Sequence, residues 1–246
     1  MRKFFQRLAL KMGYEVKKLS LPEYDQTNPF YVQQYLLRDV NTPVIFDVGA
    51  ANGETVVRYE KIFVQSEIYC FEPFKEFFEN LKNNHKNVRA YNTALGNKNG
   101  KVNFHVNPSL GSSSILPTDK RGPDNWWAGV LETKEIIEIP IMTLDKFTRD
   151  NSIDHIDILK LDTQGTEYEI IEGATETLKK TKLIFTEITV IPTYEGQKEI
   201  DEIIKILRLN GFYIHNFYDI WLGKGKNRGR IRQLDAIFLN EKFFPK

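Results

Sequence analysis

The stretch that most constrains this chain is Pro43-Val-Ile-Phe-Asp-Val-Gly-Ala-Ala-Asn-Gly53. Its apolar start reads as a short buried strand, and the glycines at 49 and 53 read as a tight turn that opens a helix. Glu72 then ends the next apolar run, Ile68-Tyr-Cys-Phe71. A strand, a glycine turn and a carboxylate closing the following strand are the layout of a nucleoside site at the edge of an open α/β sheet.

The rest of the chain supplies the sheet. Strands are expected at 44–48, 68–71, 88–91, 156–161 and 183–188, with helices at 54–63, 75–83 and 167–178 between them. Such alternation predicts a mostly parallel sheet covered on both faces. A helix follows at 200–210, with Gly211 where a C-cap belongs. Strands at 212–217 and 234–239 have no helix between them, so this last pair should be antiparallel. Two further strands, 101–106 and 136–142, interrupt the pattern. The loop between them, 107–133, is rich in Pro, Gly, Ser and Trp and is long enough to be a functional lid. Residues 1–40 read as an N-terminal helical extension and 41–246 as the domain proper. Phe4, Phe5, Leu8 and Met12 are spaced for one helical face. Asn28-Pro29 reads as a cap with proline at the first helical position.

Composition narrows the function classes. A length of 246 residues fits one α/β domain with extensions, and 41% hydrophobic with 27% charged residues is ordinary for a globular fold. The net charge of +1 gives no general pull toward nucleic acid, so no nucleic-acid partner is expected. Cys70, the one cysteine, cannot form an internal disulfide and reads as a core residue. The basic, amphipathic start is too short and interrupted for a signal peptide, and no window approaches the roughly 18 apolar residues of a spanning helix. A cytoplasmic protein without stable membrane insertion is the expectation. The apolar stripe would dock on the parent domain or on a second subunit, which is compatible with a homodimer.

The site residues follow from the strand ends. Asp47 ends the first strand, and Gly49 and Gly53 let backbone approach a ligand. The dinucleotide pattern G-x-G-x-x-G is missing, since Ala51 stands in its place, and an acid at this strand end would repel a phosphate. It suits instead the cationic end of S-adenosylmethionine. Glu72 is placed to accept two ribose hydroxyls from either NAD or S-adenosylmethionine. The run Asp157-Ile-Leu-Lys-Leu-Asp-Thr-Gln-Gly-Thr-Glu-Tyr-Glu169 carries a lysine inside an apolar strand and delivers Asp162 to the sheet edge. Lys160 needs a carboxylate partner there. Glu187 ends the next strand, so Asp162, Glu167 and Glu187 could converge. Such oxygens suit a divalent cation such as magnesium, with Asp162 and Glu187 as ligands, or general-base work on a hydroxyl. The histidines are scattered and form no zinc-like spacing.

Taken together these residues resemble the FkbM family of S-adenosylmethionine-dependent methyltransferases. The resemblance rests on Phe46-Asp-Val-Gly-Ala with Gly53, Phe71-Glu-Pro73, Ala94-Leu-Gly96, Ser112-Ser-Ser114, Thr143-Leu-Asp145, Ile158-Leu-Lys-Leu-Asp-Thr-Gln-Gly-Thr-Glu167, Glu187 and Asp235-Ala-Ile-Phe238. It covers about residues 43 to 240. It implies a class I methyltransferase (Rossmann-like) sheet of seven strands, order 3-2-1-4-5-7-6 with strand 7 antiparallel. It also implies O-methylation of a hydroxyl on a sugar, glycan or related small molecule. The family commonly has Asn directly after Gly-Ala; here Ala51 intervenes and Asn52 follows.

The cofactor-binding candidates are Asp47, Gly49, Ala50, Asn52, Gly53, Glu72, Pro73, Thr93 and Ala94. Asp162 is the expected base, Glu187 the second choice, and Lys160 the residue that tunes Asp162. Gln164, Glu167, Ser113, Trp126 and Trp127 are the substrate candidates. Lys224, Lys226, Arg228, Arg230 and Arg232 form a charge run that is either solvated or a clamp for an anionic acceptor. The rival readings are an NAD-type oxidoreductase, a nucleic-acid methyltransferase and a non-catalytic nucleoside-binding protein.

Overall fold

Strands with both faces apolar cannot leave either face in water, so they need a layer on each side. A computed structural model, which describes residues 24–119, 131–223 and 227–245, shows how the chain meets that demand. In chain order the first half runs α1 (Pro29–Leu36), β1 (Val44–Val48), α2 (Glu54–Ile62), β2 (Glu67–Phe71), α3 (Lys75–Asn84), β3 (Arg89–Tyr91), β4 (Ala94–Gly96) and β5 (Gly100–Val106). The second half runs β6 (Glu135–Thr143), α4 (Leu144–Asp150), β7 (Ile156–Leu161), α5 (Glu167–Glu172), α6 (Thr175–Leu178), β8 (Thr181–Thr189), α7 (Ile200–Leu209), β9 (Phe212–Leu222) and β10 (Ile231–Asn240).

The main sheet has the order β3-β2-β1-β7-β8-β10-β9. Its first five strands pair in parallel, and β10 runs antiparallel to both β8 and β9. This is the expected seven-stranded Rossmann-like order. One face packs Ile45, Ile158, Leu183 and Ile237 under α1, α2 and α3. The other packs Phe46, Leu159, Ile184 and Phe238 against α4, α5, α6 and α7. The two interrupting strands leave this sheet. They form a second one, β4-β6-β5, with its own apolar cluster around Phe104 and Ile139.

Local signals held where they were chemical. Asn28 Oδ1 accepts from Phe30 N at 3.0 Å and caps α1, with Pro29 at the first helical position. Gly211 adopts φ +83° just past α7. The helix expected over 167–178 is instead two, α5 and α6. Gly173, at the break, lets the chain pass close to β4, because a Cβ there would stand 2.1 Å from the carbonyl oxygen of Gly96. Two elements went unread: β4, which is only three residues long, and α4, whose Thr143 Oγ1 accepts from Lys146 N at 3.2 Å as an N-cap.

Candidate active site

Strand alternation decides where the charges go. Asp47 and Lys160 are register partners on neighbouring parallel strands β1 and β7, so both point to the α1–α3 face. Lys160 Nζ lies 3.0 Å from Asp47 Oδ1 and 3.6 Å from Asp162 Oδ2, and it donates to Gly49 O at 3.3 Å. Burial lowers the ammonium's pKa, but Asp47 and then Asp162 outweigh it and hold it above its ordinary value. Lys160 therefore stays charged and is shared by two carboxylates. The expected partner, Asp162, is the longer contact. Asp47 is 0% exposed and engaged by Lys160, so it does not present its carboxylate to a ligand as expected.

Glu72 sits at the end of β2 and is buried. Its oxygens each accept one backbone N–H, from Ala51 at 2.9 Å and Phe74 at 2.8 Å. Burial nevertheless pushes it up to about 7, outweighing both hydrogen bonds. Each oxygen keeps a second lone-pair direction, so the carboxylate can still take a pair of hydroxyls. Asn92 holds the turn beneath it, donating to the carbonyls of Glu72 and Pro73, both at 2.9 Å.

The turn after β7 is built around two side chains. Glu167 Oε1 accepts from Thr163 N at 2.7 Å, Thr163 Oγ1 at 3.0 Å and Gly165 N at 3.3 Å. Glu167 thus ties the loop from within rather than facing a substrate. Gln164, at φ +58°, donates from Nε2 to Asp162 Oδ1 at 3.0 Å. Glu187 accepts from Gln233 Nε2 at 2.8 Å, and it is the direct cross-strand partner of Asp235 on β10. Burial, then Asp162, Glu167 and Asp235, push Glu187 well above the carboxylate range. Burial with Asp162 and Asp219 nearby takes Asp235 to about 7.

Two clefts open at the C-terminal edge of the sheet. The first encloses about 710 Å³, open solvent included. Of the cofactor candidates Gly49, Glu72, Pro73, Thr93 and Ala94 line it, together with Asp162 and with Ser113 and Gln164, which the sequence offered for the substrate instead. Its apolar walls, Phe74, Phe77, Phe104, Leu110 and Ile115, were not read from the sequence. Phe74 and Phe77 follow the Phe-Glu-Pro run and could have been found there; Phe104 and Ile115 arrive only through the second sheet. The smaller second cleft is lined by Phe30, Glu54, Arg58, Lys160, Phe185, Glu187 and Asp235 among others. Asp162 is the one described residue that lines both.

Besides Asp47, three of the expected cofactor residues lie outside these linings for physical reasons. Asn52 is exposed, and its Oδ1 accepts from Asn80 Nδ2 at 3.2 Å. Gly53 is needed for packing: a Cβ there would come 2.6 Å from the His85 ring on the α3 side. Ala50 is buried, with its N–H on the carbonyl of Phe71 at 3.2 Å. Trp126, Trp127, Lys224 and Lys226 fall outside the described residues. Arg232 is 7% exposed and so is no part of a solvated run. Among the described residues, no group of three or more His, Cys, Asp or Glu side chains is placed to hold a metal. Among the same residues, no helix is long and apolar enough to cross a membrane.

A family model described as the Methyltransferase FkbM domain matches residues 47–214. The chain belongs to the FkbM methyltransferase family. It is an S-adenosylmethionine-dependent methyltransferase, which sets the oxidoreductase reading aside. Two relatives show the range of similarity. The 2-O-methyltransferase NoeI of Sinorhizobium fredii is 29% identical over 174 residues, 67% of this chain and 71% of its own length. Methyltransferase sdnD of Sordaria araneosa is 24% identical over 164 residues, covering 55% of this chain and 62% of its own length. Aeropyrum pernix fibrillarin, solved with bound S-adenosyl-L-methionine, overlaps 80% of this chain and 66% of its own at 13% identity and TM-score 0.42, too distant to bear on function.

Proposed function

We propose that this FkbM methyltransferase transfers a methyl group to a hydroxyl of a sugar, glycan or related polyhydroxylated small molecule. The observation that carries the reading is the position of Asp162 on the wall common to both clefts. The first cleft suits the nucleoside of S-adenosylmethionine: Glu72 accepts the ribose hydroxyls, and Phe74, Phe77 and Phe104 cover the adenine. When bound, the donor supplies a methyl group on a sulfonium centre, ready for displacement by an oxygen nucleophile. The second cleft takes the acceptor beside Asp162. Its acids, Glu187 and Asp235, and the Arg58 guanidinium suit the hydroxyls of a sugar, over a floor that includes Phe30 and Phe185. The name of NoeI, a 2-O-methyltransferase, agrees with an oxygen acceptor.

The chain contributes alignment first, which in favourable cases lowers a barrier by about 7–11 kcal/mol. A sugar hydroxyl is a weak nucleophile at neutral pH, so a base must take its proton. Asp162, 3.6 Å from the Lys160 ammonium and held by Gln164, is that base. Glu187, pushed toward its protonated form, is the reserve. Asp162→Asn is expected to lower methyl transfer to a hydroxyl acceptor by about 10²–10⁴-fold, well beyond the smaller loss of donor affinity expected from altering a wall of the first cleft. Full turnover in a variant that still binds the donor would remove Asp162 from this role.

Titration of Glu72 tests the donor site. An ionised carboxylate accepts two hydroxyl protons, whereas a protonated one does so poorly. Calorimetric affinity for S-adenosylhomocysteine, the demethylated donor, should weaken as pH falls through about 7. Glu72→Gln should flatten that dependence and cost about tenfold to a hundredfold at pH about 8. The unliganded protein should show the opposite trend. A carboxylate raised from its ordinary 4.5 to about 7 holds a proton that the unfolded chain has lost, so its stabilising contribution fades as pH rises through that window. No binding of S-adenosylhomocysteine at any pH would sink the proposed site.

A further inference from the structure

Gln164 holds a backbone angle that a residue with a Cβ rarely adopts, φ +58°. Three contacts keep it there. Its carbonyl accepts from Ser114 Oγ at 2.7 Å. Its side-chain Oε1 accepts from the Tyr194 hydroxyl at 3.1 Å, and its Nε2 donates to Asp162 Oδ1 at 3.0 Å. The amide orientation follows from chemistry: the end facing a carboxylate must be the NH₂, which leaves the oxygen toward the phenol.

Tyr194 is itself fixed on every side. It is 2% exposed, and its one hydroxyl proton is shared between Ser112 O at 2.8 Å and Gln164 Oε1 at 3.1 Å. Its neighbours are stitched to the start of the insertion, with Asp119 N donating to Thr193 O at 3.0 Å and Glu195 N to Pro117 O at 2.8 Å. Gln197 Oε1 accepts from Thr193 N at 2.9 Å. The ring lies against Gly165, where an added Cβ would stand 3.0 Å from Tyr194 Cδ2. That glycine leaves room for the ring to lie against the Asp162 turn. Burial, with Glu187, Glu167 and Asp162 nearby, pushes the phenol well up, so it remains an O–H donor.

We propose that Tyr194 is a positioning residue for methyl transfer: through Gln164 it fixes the Asp162 carboxylate at the junction of the two clefts and ties it to Ser112, between the Gly111 and Ser113 that line the donor cleft. The proposal rests on the methyl-donor reading of that cleft. A carboxylate on a turn has several orientations open to it, and a glutamine with three side-chain torsions cannot select one unless its own far end is held. The phenol holds that end, from a ring that burial has already immobilised. Displacement of a reacting group by about 1 Å can cost about 10²-fold in rate, so such a tether matters.

Tyr194→Phe keeps the ring and removes only the hydroxyl. Gln164→Met breaks the relay from the other end and leaves the Tyr194–Ser112 bond in place. Both variants, their double and the wild type are compared in thermal unfolding and in calorimetry with S-adenosylhomocysteine. The side-chain amide ¹⁵N resonances of Gln164 are read without ligand, identified by their loss in Gln164→Met. Tyr194→Phe should weaken S-adenosylhomocysteine by about three- to tenfold and shift the Gln164 amide pair. In the Gln164→Met background it should add nothing, because the two residues act as one unit. An unchanged affinity, an unmoved amide pair, or an equal loss in the methionine background would overturn the relay. A wild type that does not bind S-adenosylhomocysteine would overturn the donor reading and this proposal with it. A binding wild type with an unaffected Tyr194→Phe would sink the positioning role alone.

Discussion

Replacing Lys160 by methionine is expected to destabilise the protein by about 3–5 kcal/mol, because the Asp47 carboxylate then stays buried without its counter-ion. Asp162 suffers less, since its side chain is 37% exposed and water can replace the ammonium. The deficit should grow with pH. Without the lysine, buried Asp47 ionises later in the folded protein than in the unfolded chain, where an aspartate titrates near about 3.9. The folded state then holds a proton that the unfolded state releases, so stability falls as pH rises above that value. Urea unfolding at several pH values measures both effects. Adding Asp47→Leu to the variant should recover most of the loss, as an apolar pair can replace a buried ion pair. A pH-independent loss of less than about 1 kcal/mol would mean that the pair contributes no more than a surface salt bridge.

Gly49→Ala is expected to cost about 3–5 kcal/mol and to abolish S-adenosylhomocysteine binding. Gly49 has φ +77°, a conformation that costs a residue with a Cβ about 1–3 kcal/mol. The added carbon would also lie 1.9 Å from the carbonyl oxygen of Asp162 and 2.9 Å from its carbonyl carbon. The obstacle is backbone, so no rotamer change relieves it, and overpacking of this kind costs about 1–3 kcal/mol more. Asp162 N donates to Val48 O at 3.1 Å, so the two turns are locked together. Forcing them apart moves the proposed base together with the floor of the first cleft. Chemical denaturation and calorimetry report the two consequences separately; a variant of wild-type stability that still binds would contradict the contact.

Much of this was legible along the chain. Period and punctuation gave the alternation of strands and helices, because apolar runs, glycine turns and the proline after Asn28 act locally; the order of the strands in the sheet came from the family resemblance. Lys160 was recognisable as a buried cation needing a carboxylate. Its first partner was not, since Asp47 is 113 positions away and becomes a neighbour only when β1 pairs with β7. Sequence proximity favoured Asp162 instead. Gly49 and Gly53 looked alike in the sequence, yet one makes room for a backbone carbonyl and the other for the His85 ring. The hydroxyls at 112–114 looked ready for a substrate. In the structure Ser112 Oγ donates to Ser109 O, Ser113 Oγ accepts from Asn107 N, and Ser114 Oγ donates to Gln164 O. Tyr194 carried no signal at all, because its role depends on two loops meeting.

The two clefts draw on different parts of the chain. The first is made from the ends of β1 and β2, the turn before β4, and the start of the insertion. The second borrows Phe30 from α1, Arg58 from α2, and Glu187 and Asp235 from β8 and β10. Exchange of Phe30, Arg58 or Phe185 would recut one cavity and leave the other as it was. A scaffold divided in this way can change clients while keeping its methyl source. The cost of that freedom falls on the short turn from Asp162 to Glu167, which must satisfy both halves and has the least room to vary.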